Sequence, residues 1–286
     1  MEADIWYTEK NEGKGITLKV KNTLFHGQSE FQTVDIIDTE AYGRMLLLDG
    51  LVMTSEQDEF IYHEMISHIP MLNHPNPEQV LVIGGGDGGT LREVLKHSSV
   101  KRAVLCEIDG MVVEVSKEYL PTIAGKLTDP RVDIQIRDGI EYIAGQKNNF
   151  DVIIIDSTDP MGPGEGLFTE EFYTNVKNAL KPNGIMVAQS ESPIANKREM
   201  KLMYSLLKKV FPIVNAYVAP IPTYPGGFWS WAYCSENNAP LENINEGLAA
   251  QIEKTTKYYN REIHKAAFCL PNFVKELVEN KDSILC

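Results

Sequence analysis

Over the first sixty positions apolar and polar residues alternate, the period of a strand with one buried face. Gly15-Ile16-Thr17-Leu18-Lys19-Val20-Lys21 and Phe31-Gln32-Thr33-Val34-Asp35-Ile36-Ile37-Asp38 both read this way. Arg44 to Met53 reads as a hairpin turning at Asp49-Gly50. Residues 1–60 are therefore expected to form a small antiparallel β domain. From Glu56 the period becomes helical through Phe60, Ile61, Glu64, Met65, His68 and Ile69, with a stop expected at Pro70. Beyond it, apolar runs at Gln79–Ile83, Arg102–Cys106, Arg131–Ile136, Phe150–Ile155 and Ile185–Gln189 read as strands. Helical spacing lies between them, notably at Thr90–Leu95 and Met111–Tyr119 and after Thr169. A helix over Lys197–Phe211, strands near Val214–Val218 and Trp229–Cys234, and a helix after Pro271 complete the chain. Strands buried on both faces and alternating with helices predict an α/β, doubly wound sheet over residues 61–286.

The first of these strands runs into Gly84-Gly85-Gly86-Asp87-Gly88-Gly89 and then a helix. Gly84, Gly86 and Gly89 fit the G-x-G-x-x-G spacing, which permits a tight turn and close backbone approach to a ligand. Glu107 closes the second strand, where a carboxylate suits the two hydroxyls of a ribose. Asp87 stands where a pyrophosphate would lie, and its charge repels one. The loop therefore suits a nucleoside without phosphates that carries a cation, as S-adenosylmethionine and its relatives do. The expected sheet is Rossmann-like, of the S-adenosylmethionine-methyltransferase type. The plainer alternative is a glycine turn that merely packs a helix onto a strand.

Composition narrows the classes. A chain of 286 residues, 43% hydrophobic and 23% charged, has room for one large domain and a smaller unit. A net charge of -13 argues against a nucleic-acid partner, since phosphate binding needs clustered Lys and Arg. Cys106, Cys234, Cys269 and Cys286 show neither a C-x-x-C pair nor metal spacing, and read as free thiols of a reducing cytosol. The N-terminal residues lack the pattern of a signal peptide, and no run reaches membrane-spanning length. A cytosolic protein with no membrane partner is expected.

The strand at Phe150–Ile155 continues into Asp156-Ser157-Thr158-Asp159-Pro160, the start of a loop over 157–168 rich in glycine and proline and suited to be a lid. The expected topology gathers Asp87, Asp156 and Asp159 around one pocket, with Glu191 at its edge. Converged carboxylates bind either a metal or organic cations. Metal sites usually enlist His, and the nearest candidate, His63, comes from another part of the chain. Dispersed carboxylates along an aliphatic slot fit the ammonium groups of a polyamine better, with Tyr62, Tyr224, Trp6 and Trp229 as candidate walls.

Glu59-Phe60-Ile61-Tyr62-His63-Glu64-Met65, Val82-Ile83-Gly84-Gly85-Gly86-Asp87-Gly88-Gly89 and Asp156-Ser157-Thr158-Asp159-Pro160 together resemble the polyamine aminopropyltransferases, in their bacterial spermidine synthase branch. The resemblance runs from Trp6 to the C-terminal helices. It implies transfer of an aminopropyl group from decarboxylated S-adenosylmethionine, a co-substrate rather than a cofactor, to putrescine, giving spermidine and methylthioadenosine. It further implies that Gln32, Glu107, Asp138, Gly139 and Pro163, with the loop glycines Gly84 and Gly86, hold the methylthioadenosine part. His63 and Asp87 would hold the aminopropyl amine. Asp156 would be the proton acceptor, and Ser157, Thr158 and Asp159 would line the amine site. Tyr62 and Tyr224 would lie near the attacking nitrogen, Glu191 and Trp6 near the far amine. His63 stands where some eukaryotic members carry Gln. No metal is implied, and a homodimer or homotetramer with contacts through the β domain is. Agmatine, cadaverine or spermidine as acceptor, an S-adenosylmethionine-dependent methyltransferase, and a non-catalytic ligand sensor are the competing readings. Asp87 opposes the second, because the carboxylate of S-adenosylmethionine would meet it.

Overall fold

The computed structural model describes residues 4–9, 15–157 and 166–279. Five strands come first: β1 (Ile5–Thr8), β2 (Thr17–Gln28), β3 (Thr33–Thr39), β4 (Gly43–Leu48) and β5 (Leu51–Ser55), paired in chain order as an antiparallel sheet. Asp49 and Gly50 join β4 to β5 with φ of 49° and 73°, the left-handed pair that a two-residue hairpin loop requires. The sheet curls until its first strand meets its last hairpin. The Tyr7 hydroxyl donates to the Gly50 carbonyl at 2.6 Å, and the Val52 amide donates to Glu9 Oε1 at 2.9 Å.

Helix α1 (Glu59–Asn73) links this sheet to the rest. It does not stop at Pro70 but continues one turn further, because the turn around the proline finds other partners. The His74 amide donates to the Pro70 carbonyl at 3.1 Å, and Asn73 Nδ2 donates to the Ile69 carbonyl at 2.9 Å. The break comes at His74, held extended as the residue before Pro75 must be.

The larger sheet contains β6 (Gln79–Gly84), β7 (Arg102–Glu107), β8 (Val132–Ile136), β9 (Phe150–Asp156), β10 (Leu180–Gln189), β11 (Ile213–Ala219) and β12 (Trp229–Ser235). Their order is β11-β12-β10-β9-β6-β7-β8. The five strands from β10 to β8 run parallel, and β12 is antiparallel to both its neighbours. The helices are α2 (Gly89–Val94), α3 (Gly110–Tyr119), α4 (Pro121–Ala124), α5 (Gly139–Ala144), α6 (Glu170–Ala179), α7 (Lys197–Val210), α8 (Glu246–Ile252), α9 (Arg261–Ala266) and α10 (Asn272–Glu279).

Strand alternation divides the core. Val80, Val82, Val152 and Ile154 point to one face, where α1, α2 and α8 contribute Met65, Ile66, Leu91, Val94, Ala249 and Ile252. Leu81, Ile83, Ile153 and Ile155 point to the other and meet Phe172, Val176, Met203, Leu207 and Leu277 of α6, α7 and α10. Each such side chain contributes roughly 1.5–3 kcal/mol when fully buried, so both faces must stay covered. Val34, Ile36, Leu46 and Leu48 of the small sheet pack on Val112, Val115 and Ile123 of α3 and α4, which sets that sheet over the carboxyl ends of the larger one. Glu64 of α1 accepts the amides of Lys257, Tyr258 and Tyr259, each at 2.8 Å, and so ties the C-terminal segment down. Among the described residues no helix is long and apolar enough to cross a membrane.

Candidate active site

From β6 the chain winds outward through β7 and β8; from β9 it winds the other way through β10. A crevice opens at the carboxyl ends where the direction reverses, the usual ligand position in such sheets. There Gly84 of β6 lies opposite Asp156 of β9. Gly84 has φ 78°, and a Cβ on it would sit 2.2 Å from the Asp156 carbonyl oxygen. Glycine here is a condition of the two strands meeting.

At one end of the cavity lie Gln32, Gly84, Gly86, Glu107, Ile108, Asp138 and Gly139. Glu107 Oε2 accepts the Gly86 amide at 3.2 Å and Oε1 the Asp109 amide at 2.9 Å. Burial pushes its carboxyl up to about 7, although those amides favour the charged form. Asp138 caps α5 by accepting from the Ile140 amide at 2.7 Å. Gln32 comes from the small sheet and donates to Asp109 Oδ2 at 3.0 Å, which also accepts from Ser29 Oγ at 2.7 Å. Asp109 in turn caps α3 through the Met111 amide. Ser29 and Asp109 were not among the sequence candidates. An Asp before a helical run is a capping signal, but nothing local shows that the cap reaches back to residue 32.

At the other end lie Tyr62, His63, Asp87, Asp156, Ser157 and Tyr224, together with Glu9, Gln189 and Trp229. Asp156 Oδ1 accepts from the Tyr62 hydroxyl at 2.7 Å and Oδ2 from Thr90 Oγ1 at 2.6 Å. Burial raises its pKa, the nearby Asp87 charge adds to this, and His63 with the two hydroxyls works against it. Asp87 Oδ1 accepts the Gly89 amide at 2.8 Å, so the carboxylate occupies the amide that a phosphate would use at this helix start. His63 lies between Asp87 Oδ2, 3.4 Å from Nε2, and Glu59 Oε2, 2.5 Å from Nδ1. The Tyr224 hydroxyl donates to the Met53 carbonyl, and its ring centroid lies 5.6 Å from that of Tyr62 and 4.7 Å from that of Trp229.

Two candidates stand apart. Trp6 is 56% exposed and outside the cavity lining. Strand parity explains this: Tyr7 and Glu9 turn inward toward β5, so the residue between and before them turns outward. Glu9, which the sequence reading did not single out, reaches the cavity instead. Glu191 is fully buried with φ 70° and lies behind Gln189, whose Nε2 donates to its Oε1 at 3.1 Å. Thr158, Asp159 and Pro163, and most of the expected lid, fall outside the described residues. Among the described residues no group of three or more His, Cys, Asp or Glu is placed to hold a metal ion.

Comparison with known proteins agrees along nearly the whole chain. Residues 59–246 match the family model of the spermine/spermidine synthase domain, and residues 5–56 that of the spermidine synthase tetramerisation domain. A polyamine aminopropyltransferase of Bacillus subtilis (strain 168) is 51% identical over 278 residues, covering 97% of this chain and all of the relative. One from Alkaliphilus metalliredigens is 49% identical over 280 residues, 97% of this chain and 99% of the relative. A solved spermidine synthase in complex with the transition-state analogue AdoDATO superposes with a TM-score of 0.94 at 47% identity, covering 96% of this chain and 95% of that one. The spermidine synthase of Thermotoga maritima gives 0.93 at 46% identity, covering 96% and 94%. By sequence over nearly its full length and by fold, the chain belongs to the spermidine synthase family of polyamine aminopropyltransferases, enzymes that transfer an aminopropyl group.

Proposed function

We propose that this chain transfers the aminopropyl group of decarboxylated S-adenosylmethionine to putrescine, giving spermidine and methylthioadenosine, with no cofactor beyond that co-substrate. The observation that carries this reading is the pairing of buried Asp87 with partly buried Asp156 at the switch point, beside a nucleoside end closed by Glu107. Glu107 accepts the ribose hydroxyls, Asp87 and His63 receive the aminopropyl ammonium, and Asp156 faces the attacking amine. The acceptor nitrogen forms a bond to the methylene next to sulfur. The carbon–sulfur bond breaks, its electrons neutralise the sulfonium, and the nitrogen sheds one proton to Asp156.

The donor carbon is already activated, so the protein's task is to align the nucleophile and free its lone pair. A primary amine titrates near ~10.4, and holding it neutral at pH 7 costs roughly 4.6 kcal/mol at about 1.36 kcal/mol per unit. Burial lowers an amine and raises an aspartate, so both move toward each other in this cavity. Negative walls from Glu9, Asp87 and Asp156 suit a dication such as putrescine.

The test is methylthioadenosine release from decarboxylated S-adenosylmethionine with putrescine, cadaverine, agmatine or spermidine offered in parallel. Release with putrescine alone supports the reading. Release with another amine moves the acceptor, and methyl transfer from S-adenosylmethionine without such release would discard it.

The assembly we infer is a homodimer or homotetramer formed through the small sheet. The match of residues 5–56 to a tetramerisation domain supports this, as do the exposed Ile5 and Trp6 on edge strand β1.

A further inference from the structure

Glu59 stands one turn before His63 on α1, and its carboxylate is gripped from two sides. Arg92 of α2 reaches it with two nitrogens, Nη1 to Oε1 at 2.9 Å and Nη2 to Oε2 at 2.8 Å. His63 Nδ1 meets the same Oε2. A carboxylate accepts only, so Nδ1 carries a proton toward Glu59 and the ring presents Nε2 to Asp87. The ring cannot slide away, because it lies on the loop backbone: a Cβ on Gly89 would fall 2.2 Å from His63 Cε1. Arg92 is itself steadied by Glu93, whose Oε1 accepts from Arg92 Nε at 2.9 Å. Glu59, Arg92 and Glu93 do not line the cavity, so whatever they do to a ligand they do through His63.

We propose that Glu59 and Arg92 are positioning residues that hold His63 as a resident cation on Asp87, and that the donor's ammonium takes its place, expelling one proton from His63 Nε2 to solvent. The inference rests on the reading of Asp87 as the anchor of the aminopropyl amine. Asp87 is buried, and a buried carboxylate needs a counter-charge when no ligand is present. The arriving ammonium supplies that charge with its own three protons. Two cations against one carboxylate repel, whereas a neutral His63 offers a lone pair beside Asp87 Oδ2, a second acceptor for the same ammonium. The charge next to Asp87 is equal before and after.

The groups facing His63 are Glu59 and Tyr62 of α1, Asp87 of the loop, Arg92 of α2 and Asp156 of β9. Burial disfavours the imidazolium, but Asp87 and Glu59 outweigh it and hold the ring well above its ordinary range. Proton release should therefore persist at neutral pH and fade as pH climbs past the raised value.

The experiment is calorimetric titration of the whole protein with decarboxylated S-adenosylmethionine, without acceptor, in two buffers of different ionisation heat. Wild type is expected to release about one proton more per donor bound than per methylthioadenosine bound, because both ligands draw the same proton from Glu107 and only the donor carries the aminopropyl ammonium. His63→Gln should remove that excess. Glu59→Gln, which loosens the hold on the imidazolium, should cut that excess without weakening the donor, with methylthioadenosine affinity unchanged as the sign that the site is folded. A wild-type release no larger for the donor than for methylthioadenosine, while Asp87→Asn still weakens the donor more than methylthioadenosine, overturns the exchange and leaves the anchor standing. If Asp87→Asn weakens both alike, the anchor itself fails, and the exchange with it.

Discussion

Asp156 meets its neighbours with both oxygens, one toward Tyr62 and one toward Thr90, so its orientation is set before any substrate arrives. For the proposed base, Asp156→Asn should lower kcat about a thousandfold, the middle of the range for general acid–base catalysis, while donor affinity holds. Steady-state kinetics beside donor binding checks this, and equal losses in both would remove the base role. Glu107 gives a second prediction. With its carboxyl near 7 in the free protein, it is increasingly protonated as pH falls and accepts the ribose hydroxyls less well. Methylthioadenosine affinity should weaken below about pH 7 and level off above it; Glu107→Gln should flatten the profile, and an unchanged slope would move the ribose elsewhere.

The unit of β6, the glycine loop and α2 carries much of the cavity floor, and its backbone leaves no room for a methyl group. Gly84→Ala adds left-handed strain to a clash with the Asp156 carbonyl. A cost of about 3 kcal/mol is expected from strain and overpacking together. For a chain of this size that is a fall in Tm of roughly 5 °C, readable by calorimetry. Gly50→Ala, also at positive φ but with open space around its Cβ, should cost less and isolates the strain from the clash.

In the whole molecule, α1 joins the small sheet, the cavity and the C-terminal segment. His264 of α9 is buried there between Tyr259 Oη and Asn73 Nδ2, at 2.8 and 3.1 Å. Burial depresses its pKa to about 4. Between about 6.5 and 4 the unfolded chain therefore binds the proton that the folded one refuses, and this group's contribution falls as pH falls, by about 3 kcal/mol across the window. His264→Gln removes that titration while leaving the others in place. Its urea stability should drop less than that of wild type between pH 7 and 4; parallel losses would show that His264 is charged when folded. On the same scale, Trp6→Lys on edge strand β1 should shift the assembly toward smaller species in light scattering if the small sheet is the contact.

Local rules carried the sequence a long way. The Asp49-Gly50 hairpin, the apolar run into the glycine loop, and Glu107 at its strand end each depend on neighbours in the chain, and each stands where the pattern placed it. The quoted motifs were also specific enough to name the family. Other features depended on partners far along the chain. Whether Pro70 ends α1 turned on Asn73 and His74 finding the last carbonyls, and whether Trp6 or Glu9 faces the cavity turned on how β1 curls back to β5. The pairing of Gly84 with Asp156, and of Glu59 with Arg92, exists only once β6, β9, α1 and α2 are assembled. Periodicity encodes which face of an element is apolar. Which charged groups then meet, and how far burial shifts them, is a property of packing, and tertiary structure alone decided it.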